Sequence, residues 1–496
     1  MNIKLILKSL GNIFKTEAIL MLLPLVVSLI YKENIWYSYL IPSFVTFVLG
    51  FFLARLQPER QTLYAREGFS VVGLCWICLS LFGCAPFMIS GAIPNFFDAF
   101  FETVSGFTTT GSTILENVEI LPKSILFWRS FTHWIGGMGI LVFVLAILPN
   151  SDGQNIYILR AESTGPQVGK LVSKLRVTAR ILYLIYFAFT VIEILLLYFG
   201  DKVFGTDGIY KMDLYSSLVH TFGTVGTGGF SIKADGLASY STYSQMVISV
   251  FMLICGINFN VFYLILIGKF KQVLKCEEMW WYLGIILIST ISIALNIYFS
   301  LEDILLASAF KDSFFHVTSI ITSTGFATVD FNNWPAFSQA ILWVLMFVGA
   351  CAGSTGGGLK VSRVVILLKS VRREIKKLVH PNSVNNIKMD GQTLEEGVIK
   401  GVSSYFAVYV TLFIIAILLI SFDGFSFEMN VTAVTTTINN IGPGLGKLLN
   451  SDIGPMGNFS CFSNFSKFIL TIAMLIGRLE IYPILILFNV KAWLNR

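Results

Sequence analysis

The segment at residues 102–111 reads ETVSGFTTTG, and a similar segment returns three times along the chain. Aligned without gaps, the later copies are VHTFGTVGTG at 219–228, HVTSIITSTG at 316–325 and AVTTTINNIG at 433–442. Their closing glycines are 117, 97 and 117 residues apart. Each copy is too short to span a bilayer and ends in small polar residues. This pattern is typical of re-entrant segments, which enter a membrane and return to the same side.

Apolar stretches flank every copy. Ten stretches are long and apolar enough to predict spanning helices, centred in 18–31, 38–54, 69–90, 126–149, 181–199, 244–268, 281–300, 338–368, 398–421 and 467–489. A long-period repeat with a spanning helix on each side indicates one supersecondary unit used four times. The predicted units occupy about 69–149, 181–270, 280–380 and 398–490, and residues 1–55 form an extra N-terminal helix pair.

The composition agrees with a protein of the bilayer. The 496 residues are 55% hydrophobic and 13% charged, with a mean hydropathy of +0.74, which excludes an ordinary soluble protein. Six predicted loops hold 25 of the 35 Lys and Arg residues. By the positive-inside rule these loops are cytoplasmic, which places both termini inside. Because the basic residues are spread over short loops, the sequence does not predict a nucleic-acid partner.

The repeated segments suit a site for a dehydrated cation. Backbone groups at bilayer depth are costly unless they line a watery cavity, and four extended segments meeting on one axis could replace the hydration shell with carbonyl oxygens. The last four residues of each copy contain no carboxylate, which favours a monovalent ion. The expected filter residues are Thr109, Thr110, Gly111, Gly226, Thr227, Gly228, Ser323, Thr324, Gly325, Asn440, Ile441 and Gly442. Any one copy alone would be interpreted as a polar loop with a turn glycine.

The motifs around these segments resemble the Trk/Ktr/HKT superfamily of cation transporters, and most of all its TrkH/TrkG branch of potassium uptake membrane subunits. The resemblance covers nearly the whole chain and rests on pieces that occur in family order. They are ETVSGFTTTGS at 102–112, FWRSFTHWIGGMGI at 127–140, HTFGTVGTGGFS at 220–231, TSTGF at 322–326, GACAGSTGGGLK at 349–360 and MLIGRLE at 474–480. It implies an all-α polytopic membrane protein with four tandem helix, pore-loop, helix repeats around a pseudo-fourfold pore.

The resemblance also implies function and partners. It predicts a potassium-selective subunit, a homodimer in the bacterial inner membrane among its lipids, and TrkA-type nucleotide-binding regulatory subunits in a cytoplasmic ring. Potassium would be bound only through filter carbonyls, with no organic cofactor. Serine at the first filter glycine accompanies sodium transport in plant relatives, and this chain has Gly111 there. A sodium-coupled potassium symporter or a sodium transporter remains the alternative. The sequence has no GxSG, GxGD or HExxH motif that would favour an intramembrane enzyme.

A glycine run interrupts the apolar stretch at 338–368. Its glycines are Gly349, Gly353, Gly356, Gly357 and Gly358, and each costs a helix interior roughly 1 kcal/mol relative to alanine. By resemblance, this run is the intramembrane gate under the filter. A nucleotide-binding loop is disfavoured because Leu359 separates the last glycine from Lys360. A glycine cluster that merely packs helices remains open.

Charged residues near the predicted gate form a second group of candidates. Arg478 lies about as deep as the glycine run, and a charge there must face the pore or a partner. It is expected to raise the barrier to cations and to hold the gate, or else to pair with Glu480 or reach lipid headgroups. The basic stretch at 360–377 is expected to bind anionic lipids or to link the gate to the regulatory ring. His220 and His316 stand at offset positions in the ungapped alignment, which favours packing roles.

Overall fold

A computed structural model describes the chain except for residues 59–63, 140–174, 302–303, 384, 449–450, 490, 492 and 494–496. The second half of the predicted 126–149 helix and most of the basic loop at 150–180 therefore lie outside the described residues. The described part is built almost entirely from helices, with two short antiparallel hairpins, β1 Lys388–Met389 with β2 Gln392–Thr393 and β3 Lys447–Leu448 with β4 Ser451–Asp452.

An N-terminal pair precedes the repeats. It consists of α1 Ile3–Leu20, which continues almost directly as α2 Leu22–Ile30, and of α3 Tyr37–Ala54. The two arms cross where Gly11 faces Gly50. A Cβ on either glycine would lie 2.8 Å from the carbonyl oxygen of the other, so only glycine allows the backbones this close, as is common where helices pack in membranes.

Four groups of helices follow, one for each predicted repeat. The first group is α4 Ala65–Gly83, α5 Ala85–Ile89, α6 Phe96–Phe107 and α7 Lys123–Gly137. The second is α8 Leu175–Leu195, a π-helical turn Leu196–Gly200, α9 Asp201–Phe204, α10 Leu214–Val225, α11 Thr242–Cys255, α12 Phe259–Leu266 and α13 Phe270–Leu274. The third is α14 Glu277–Ser300, α15 Leu306–Ile321, α16 Ala336–Val348 and α17 Val361–Val379. The fourth is α18 Glu396–Ile420, α19 Phe427–Ile438, α20 Asn464–Arg478 and α21 Tyr482–Phe488.

Six helical segments in the described part are long and apolar enough to cross a membrane. They are Ile3–Ile30, Tyr37–Ala54, Arg66–Ile89, Ala179–Phe204, Glu277–Ser300 and Glu396–Asp423. Each lies at a predicted span, but the first prediction, 18–31, was wrong in its start. Lys4, Lys8 and Lys15 lower the mean hydropathy of the first turns, so the apolar stretch in the sequence is shorter than the helix.

Two further predictions of continuous spans were wrong. The predicted 244–268 helix is two helices, α11 and α12, that meet at an angle of 88°. The predicted 467–489 helix breaks between α20 and α21, where Glu480 and Ile481 have positive φ angles of 55° and 71°. The predicted interruption of the 338–368 stretch is present, since α16 ends at Val348 and α17 begins at Val361.

Two of the helices that flank the repeats, α7 and α20, carry a glycine where they pass the end of a re-entrant half-helix. A Cβ on Gly136 of α7 would overlap the carbonyl oxygen of Phe107, and a Cβ on Gly477 of α20 would overlap that of Ile438. Phe107 and Ile438 are the last residues of α6 and α19. Glycine is therefore required for the long helices to approach the half-helices at this depth.

The half-helices α6, α10, α15 and α19, named pore helices below, form the centre of the molecule. In α6, for example, all of residues 99–107 are buried, as expected of a helix surrounded by protein on every face. Three of them begin at a side-chain cap, in which Asn95, Asp213 or Ser426 accepts a hydrogen bond from an amide in the first turn. Such caps satisfy helix-end amides that would otherwise lack partners.

Candidate ion filter and gate

Each pore helix stops in the same way. The second residue after its end takes a left-handed conformation, with φ of 54° at Thr109, 54° at Thr227, 56° at Ser323 and 55° at Asn440. Left-handed residues other than glycine cost free energy and tend to be found where the surroundings enforce them. Four in matching places therefore indicate one shared local structure rather than four unrelated turns.

A glycine with positive φ follows two residues later in every copy. The four are Gly111 at 83°, Gly229 at 77°, Gly325 at 85° and Gly442 at 98°. These residues are named the glycine ring. A residue with a Cβ atom rarely adopts a positive φ angle of this size, so glycine is the residue expected at all four positions.

Backbone hydrogen bonds give the same register. The amide preceding each ring glycine donates to a carbonyl oxygen in the last turns of its pore helix. The four bonds are Thr110 to Ser105 at 2.9 Å, Gly228 to Gly223 at 2.7 Å, Thr324 to Ser319 at 2.9 Å and Ile441 to Thr436 at 2.9 Å. Each joins residues five apart, so Gly228 occupies the position of Thr110.

The ungapped alignment was therefore wrong by one residue in the second copy. The counterpart of Gly111 is Gly229 and not Gly228, and Gly226 caps the end of α10. The ring glycines are 118, 96 and 117 residues apart. The sequence GTGG contains three glycines, and composition alone cannot tell which of them takes the strained position.

The corrected register also changes the interpretation of two histidines. His220 and His316 each stand nine residues before their ring glycine, at the position of Glu102 in the first copy. The predicted offset between them was an artefact of the alignment. Their Nδ1 atoms lie 2.8 Å from Ser216 O and 2.9 Å from Asp312 O, one turn back in the same pore helices.

The four segments meet in a closed cycle. A Cβ on Gly111 would overlap the carbonyl oxygen of Gly228, one on Gly229 would overlap that of Thr324, and one on Gly325 would overlap that of Ile441. The cycle closes because a Cβ on Gly442 would lie 2.9 Å from the carbonyl oxygen of Thr110. Each oxygen belongs to the residue before the next ring glycine, so the order around the axis is one, two, three, four.

Polar side chains hold these segments from behind. The hydroxyls of Thr108 and Thr110 are 2.8 Å apart, as are those of Thr322 and Thr324. The amide of Asn440 donates to Thr110 Oγ1 at 2.9 Å, which joins the fourth segment to the first. All five side chains are fully buried, so each bond is made where water cannot compete.

The loop at residues 349–360, named the gate loop, lies directly beneath this ring. A Cβ on Gly356 would lie 2.7 Å from the carbonyl oxygen of Thr322, and one on Gly357 would overlap that of Asn439. The amide of Gly357 donates to the hydroxyl of Ser323. The loop therefore contacts the ends of the third and fourth pore helices, and side chains at these glycines would not fit.

The gate loop is tied to its surroundings by backbone bonds as well. Gly349, Gly353 and Gly358 have positive φ angles of 70°, 70° and 78°. Cys351 N donates to Gly256 O at 3.0 Å, and Phe259 N donates to Gly353 O at 3.0 Å. These two bonds cross the bend between α11 and α12, so the break in the second repeat and the gate loop of the third fit together.

Arg478 connects the gate loop to the first repeat. Its guanidinium donates to Thr355 O at 2.8 Å, to Gly137 O at 2.8 Å and also to Gly136 O. Glu480, the predicted alternative partner, accepts two hydrogen bonds from Arg363, at 3.1 and 2.6 Å. A planar donor group with several N–H bonds suits such a cluster of carbonyl oxygens.

Comparison with known proteins gives the family. Residues 38–493 match the model of the TrkH family, described as cation transport proteins. The chain belongs to the TrkH family. It is 35% identical over 479 residues to the Trk system potassium uptake protein TrkH of Escherichia coli K12, a match covering 95% of each chain. The protein TrkG of the same strain is 31% identical over 486 residues, and the match covers 95% of both chains.

A solved TrkH-family structure has the same fold. The crystal structure of the potassium transporter TrkH from Vibrio parahaemolyticus matches with a TM-score of 0.87 and 31% sequence identity. The match covers 99% of this chain and 100% of that one. The predicted family and the predicted all-α polytopic membrane fold are thus confirmed.

One buried ion pair of this TrkH-family chain escaped prediction. Glu102 of α6 accepts from Arg129 Nε of α7 at 2.6 Å, and the two side chains are 0% and 3% exposed. Glu102 also accepts from the amide of Ile114, at 3.0 Å, just beyond the first ring glycine. Arg129 in turn donates to Ser231 O at 2.9 Å, just beyond Gly229. Glu102 lies in the motif at 102–112 and Arg129 in the motif at 127–140, but nothing in the sequence indicates that the two form a pair.

Proposed function

We propose that the chain is the potassium-selective, ion-conducting subunit of a Trk-type potassium uptake system. The observation that carries this proposal is the closed cycle of four backbone segments, in which each ring glycine lies against a carbonyl oxygen of the next segment. Carbonyl oxygens brought together in this way can replace the water around a potassium ion. The relatives are potassium uptake and potassium transporter proteins, which supports the same ion.

Potassium at this site would be bound by the filter segments alone. In the proposed arrangement the carbonyl oxygens of Thr110, Gly228, Thr324 and Ile441 form one shell of ligands. Neutral dipoles bind a monovalent ion weakly enough to let it leave, which conduction requires. The ion is the transported substrate, and the proposal gives the chain no enzymatic step.

The gate loop is proposed to close the path below the filter. Its glycines lie against the inner ends of two pore helices, and Arg478 adds a positive charge at the same depth. Opening would require the loop to leave Thr322 and Asn439, and the break between α16 and α17 allows the segment to move without bending a helix.

The proposed setting is the bacterial inner membrane, with both termini in the cytoplasm and two copies per assembly. Cytoplasmic TrkA-type regulatory subunits would control the gate loop through α17, which begins directly after it. The exposed Arg372, Lys376 and Lys377 of this helix favour an acidic partner. Arg373 is half-buried and pairs with Glu396 at 2.5 Å. Charge reversal at Arg372 and Arg373 should weaken co-purification with the regulatory subunits, and unaltered co-purification would remove this role.

Growth of a potassium-uptake-deficient bacterial strain tests the main proposal. The chain, co-expressed with its regulatory subunits, should restore growth at low potassium. Gly111→Ser, whose Cβ would overlap the carbonyl oxygen of Gly228, should weaken this rescue and lower the preference for potassium over sodium. Reversal potentials in liposomes with separate potassium and sodium gradients distinguish the alternatives. A sodium-coupled symporter would need both ions for flux, whereas the proposed subunit would pass potassium without sodium.

A further inference from the structure

The four filter segments are not held equally. In the first copy the hydroxyl of Ser105 donates to the carbonyl oxygen of Ser112 at 2.6 Å. In the third copy Ser319 donates to the carbonyl oxygen of Phe326 at 2.6 Å. Both serines are fully buried, and they occupy the same position six residues before their ring glycines.

Each serine holds its segment on both sides of the ring glycine. The carbonyl oxygen of Ser105 accepts from the amide of Thr110 at 2.9 Å, while its hydroxyl reaches Ser112. Gly111 is thereby bracketed by two bonds to one residue of the pore helix. Ser319 repeats this arrangement around Gly325, with the amide of Thr324 at 2.9 Å. These two arrangements are named serine clamps below.

The second and fourth copies have no such clamp at the equivalent residue. Gly223 stands there in the second copy and has no side chain. Thr436 stands there in the fourth copy, and its hydroxyl lies 3.1 Å from Ala433 O within its own helix. In these two copies the equivalent residue holds the segment through its carbonyl oxygen alone. Gly223 O accepts from Gly228 at 2.7 Å and Gly229 at 3.4 Å, and Thr436 O accepts from Ile441 at 2.9 Å.

Because the order around the axis is one, two, three, four, the clamped segments face each other across it. The hydroxyl pairs Thr108 with Thr110 and Thr322 with Thr324 also belong to these two segments. The second and fourth segments have glycine, or asparagine and isoleucine, at those positions. The first and third segments, on opposite sides of the axis, are therefore each held by a serine of their own pore helix. The fourth segment is held instead by the amide of Asn440 and by Ser112 Oγ, which donates to Gly442 O at 3.1 Å.

We infer that Ser105 and Ser319 are positioning residues that set the discrimination between potassium and sodium by fixing the width of the filter along one diagonal. The inference rests on the proposed function. Sodium is smaller than potassium, so carbonyl oxygens must move inward to coordinate it as closely. A segment bonded on both sides of its ring glycine resists this movement. Moving it inward would strain or break the buried bond of the serine hydroxyl, which costs free energy.

The test is the ratio of potassium to sodium permeability, measured from reversal potentials of the purified full chain in liposomes. Ser105→Ala and Ser319→Ala each remove one clamp hydroxyl and leave the backbone bond in place. Each should lower the ratio by roughly fivefold, the equivalent of about one buried hydrogen bond. The double variant should lower it further, with potassium flux itself largely retained.

Thr103→Val is the matched control. Thr103 is buried in α6, the pore helix that contains Ser105. Among the described residues its hydroxyl bonds only to Ala99 O, at 2.7 Å, one turn back. The equivalent residue of the third copy is Val317, so valine is compatible with the position. This variant also loses a buried hydroxyl from α6, and its permeability ratio should match that of the unmodified chain.

The outcomes separate this inference from the proposed function. A fall in the ratio for both serine variants, with the control unchanged, supports the clamps. An unchanged ratio in both folded variants overturns them, as does an equal fall in Thr103→Val. If the unmodified chain itself shows no preference for potassium, the proposed function fails first. The two serine variants lie in different repeats, so misfolding of one leaves the other to decide.

Discussion

Replacing Arg478 by alanine should open the pore. In the closed arrangement its guanidinium joins the gate loop, at Thr355 O, to the carbonyl oxygens of Gly136 and Gly137 in α7. The bond to Thr355, of 2.8 Å, must break when the loop moves away. The closed state thus loses one charge-assisted hydrogen bond that the open state does not contain.

The size of the effect follows from that single bond. A hydrogen bond to a charged group contributes about 1.5 to 3 kcal/mol, so its loss should shift the equilibrium between closed and open pores about 10- to 100-fold toward open. Removing a fixed positive charge beside the path also lowers the barrier to a cation. Both effects raise the flux, up to the limit of a fully open pore.

Radioactive rubidium uptake into liposomes containing the purified protein measures this change. Arg478→Ala should increase the initial rate strongly, and Arg478→Lys should fall between, because an ammonium group lacks the planar fork that reaches several carbonyl oxygens together. Lys467→Ala is the control. Lys467 is a buried cation of the same helix, and its ammonium group bonds to Asp98 at 2.6 Å. Among the described residues it makes no hydrogen bond or ion pair with the gate loop.

This role of Arg478 is contradicted if Arg478→Ala takes up rubidium at an unchanged or lower rate while its midpoint of thermal unfolding stays close to that of the unmodified chain. The arginine would then act only in packing. A rise of the same size in Lys467→Ala would also contradict it, because general loosening of α20 and not release of the gate loop would explain both results.

Two further predictions concern the packing around the first pore helix. Gly136→Ala should lower the thermal midpoint and the flux, because the new Cβ would overlap the carbonyl oxygen of Phe107 and overpacking costs about 1 to 3 kcal/mol. Gly284→Ala, in open space, should be neutral or stabilising, and equal losses in both would refute the steric argument. Glu102→Gln should destabilise by about 3 kcal/mol, since it leaves the buried Arg129 without its counter-charge; an unchanged thermal unfolding midpoint would show that the pair contributes little.

The repeat was predictable from the sequence because a filter needs the same short segment four times. Hydropathy and the spacing of the segments predicted most spans, and the motifs predicted the family. The register of the second segment was not predictable. The stretch GTGG contains three glycines. The φ angles of Thr227 and Gly229 and the backbone bond from Gly228 to Gly223 show that Gly229 completes the ring.

The breaks within the predicted spanning helices were not predictable either, for a different reason. The stretch 244–268 is apolar throughout, and hydropathy does not register the 88° bend after Cys255. That bend accommodates the gate loop through bonds between residues about one hundred positions apart, such as Cys351 to Gly256. Partners of this kind, like Glu102 with Arg129, are set by tertiary packing, which a single sequence does not reveal.

The most direct test of the account is the position of the ion. A crystal structure of the protein with rubidium or thallium in place of potassium should show anomalous density on the axis, surrounded by the carbonyl oxygens of Thr110, Gly228, Thr324 and Ile441. The predicted result is a peak at that point with carbonyl oxygens of all four segments around it. An empty axis in crystals that bind the ion elsewhere would contradict the central claim.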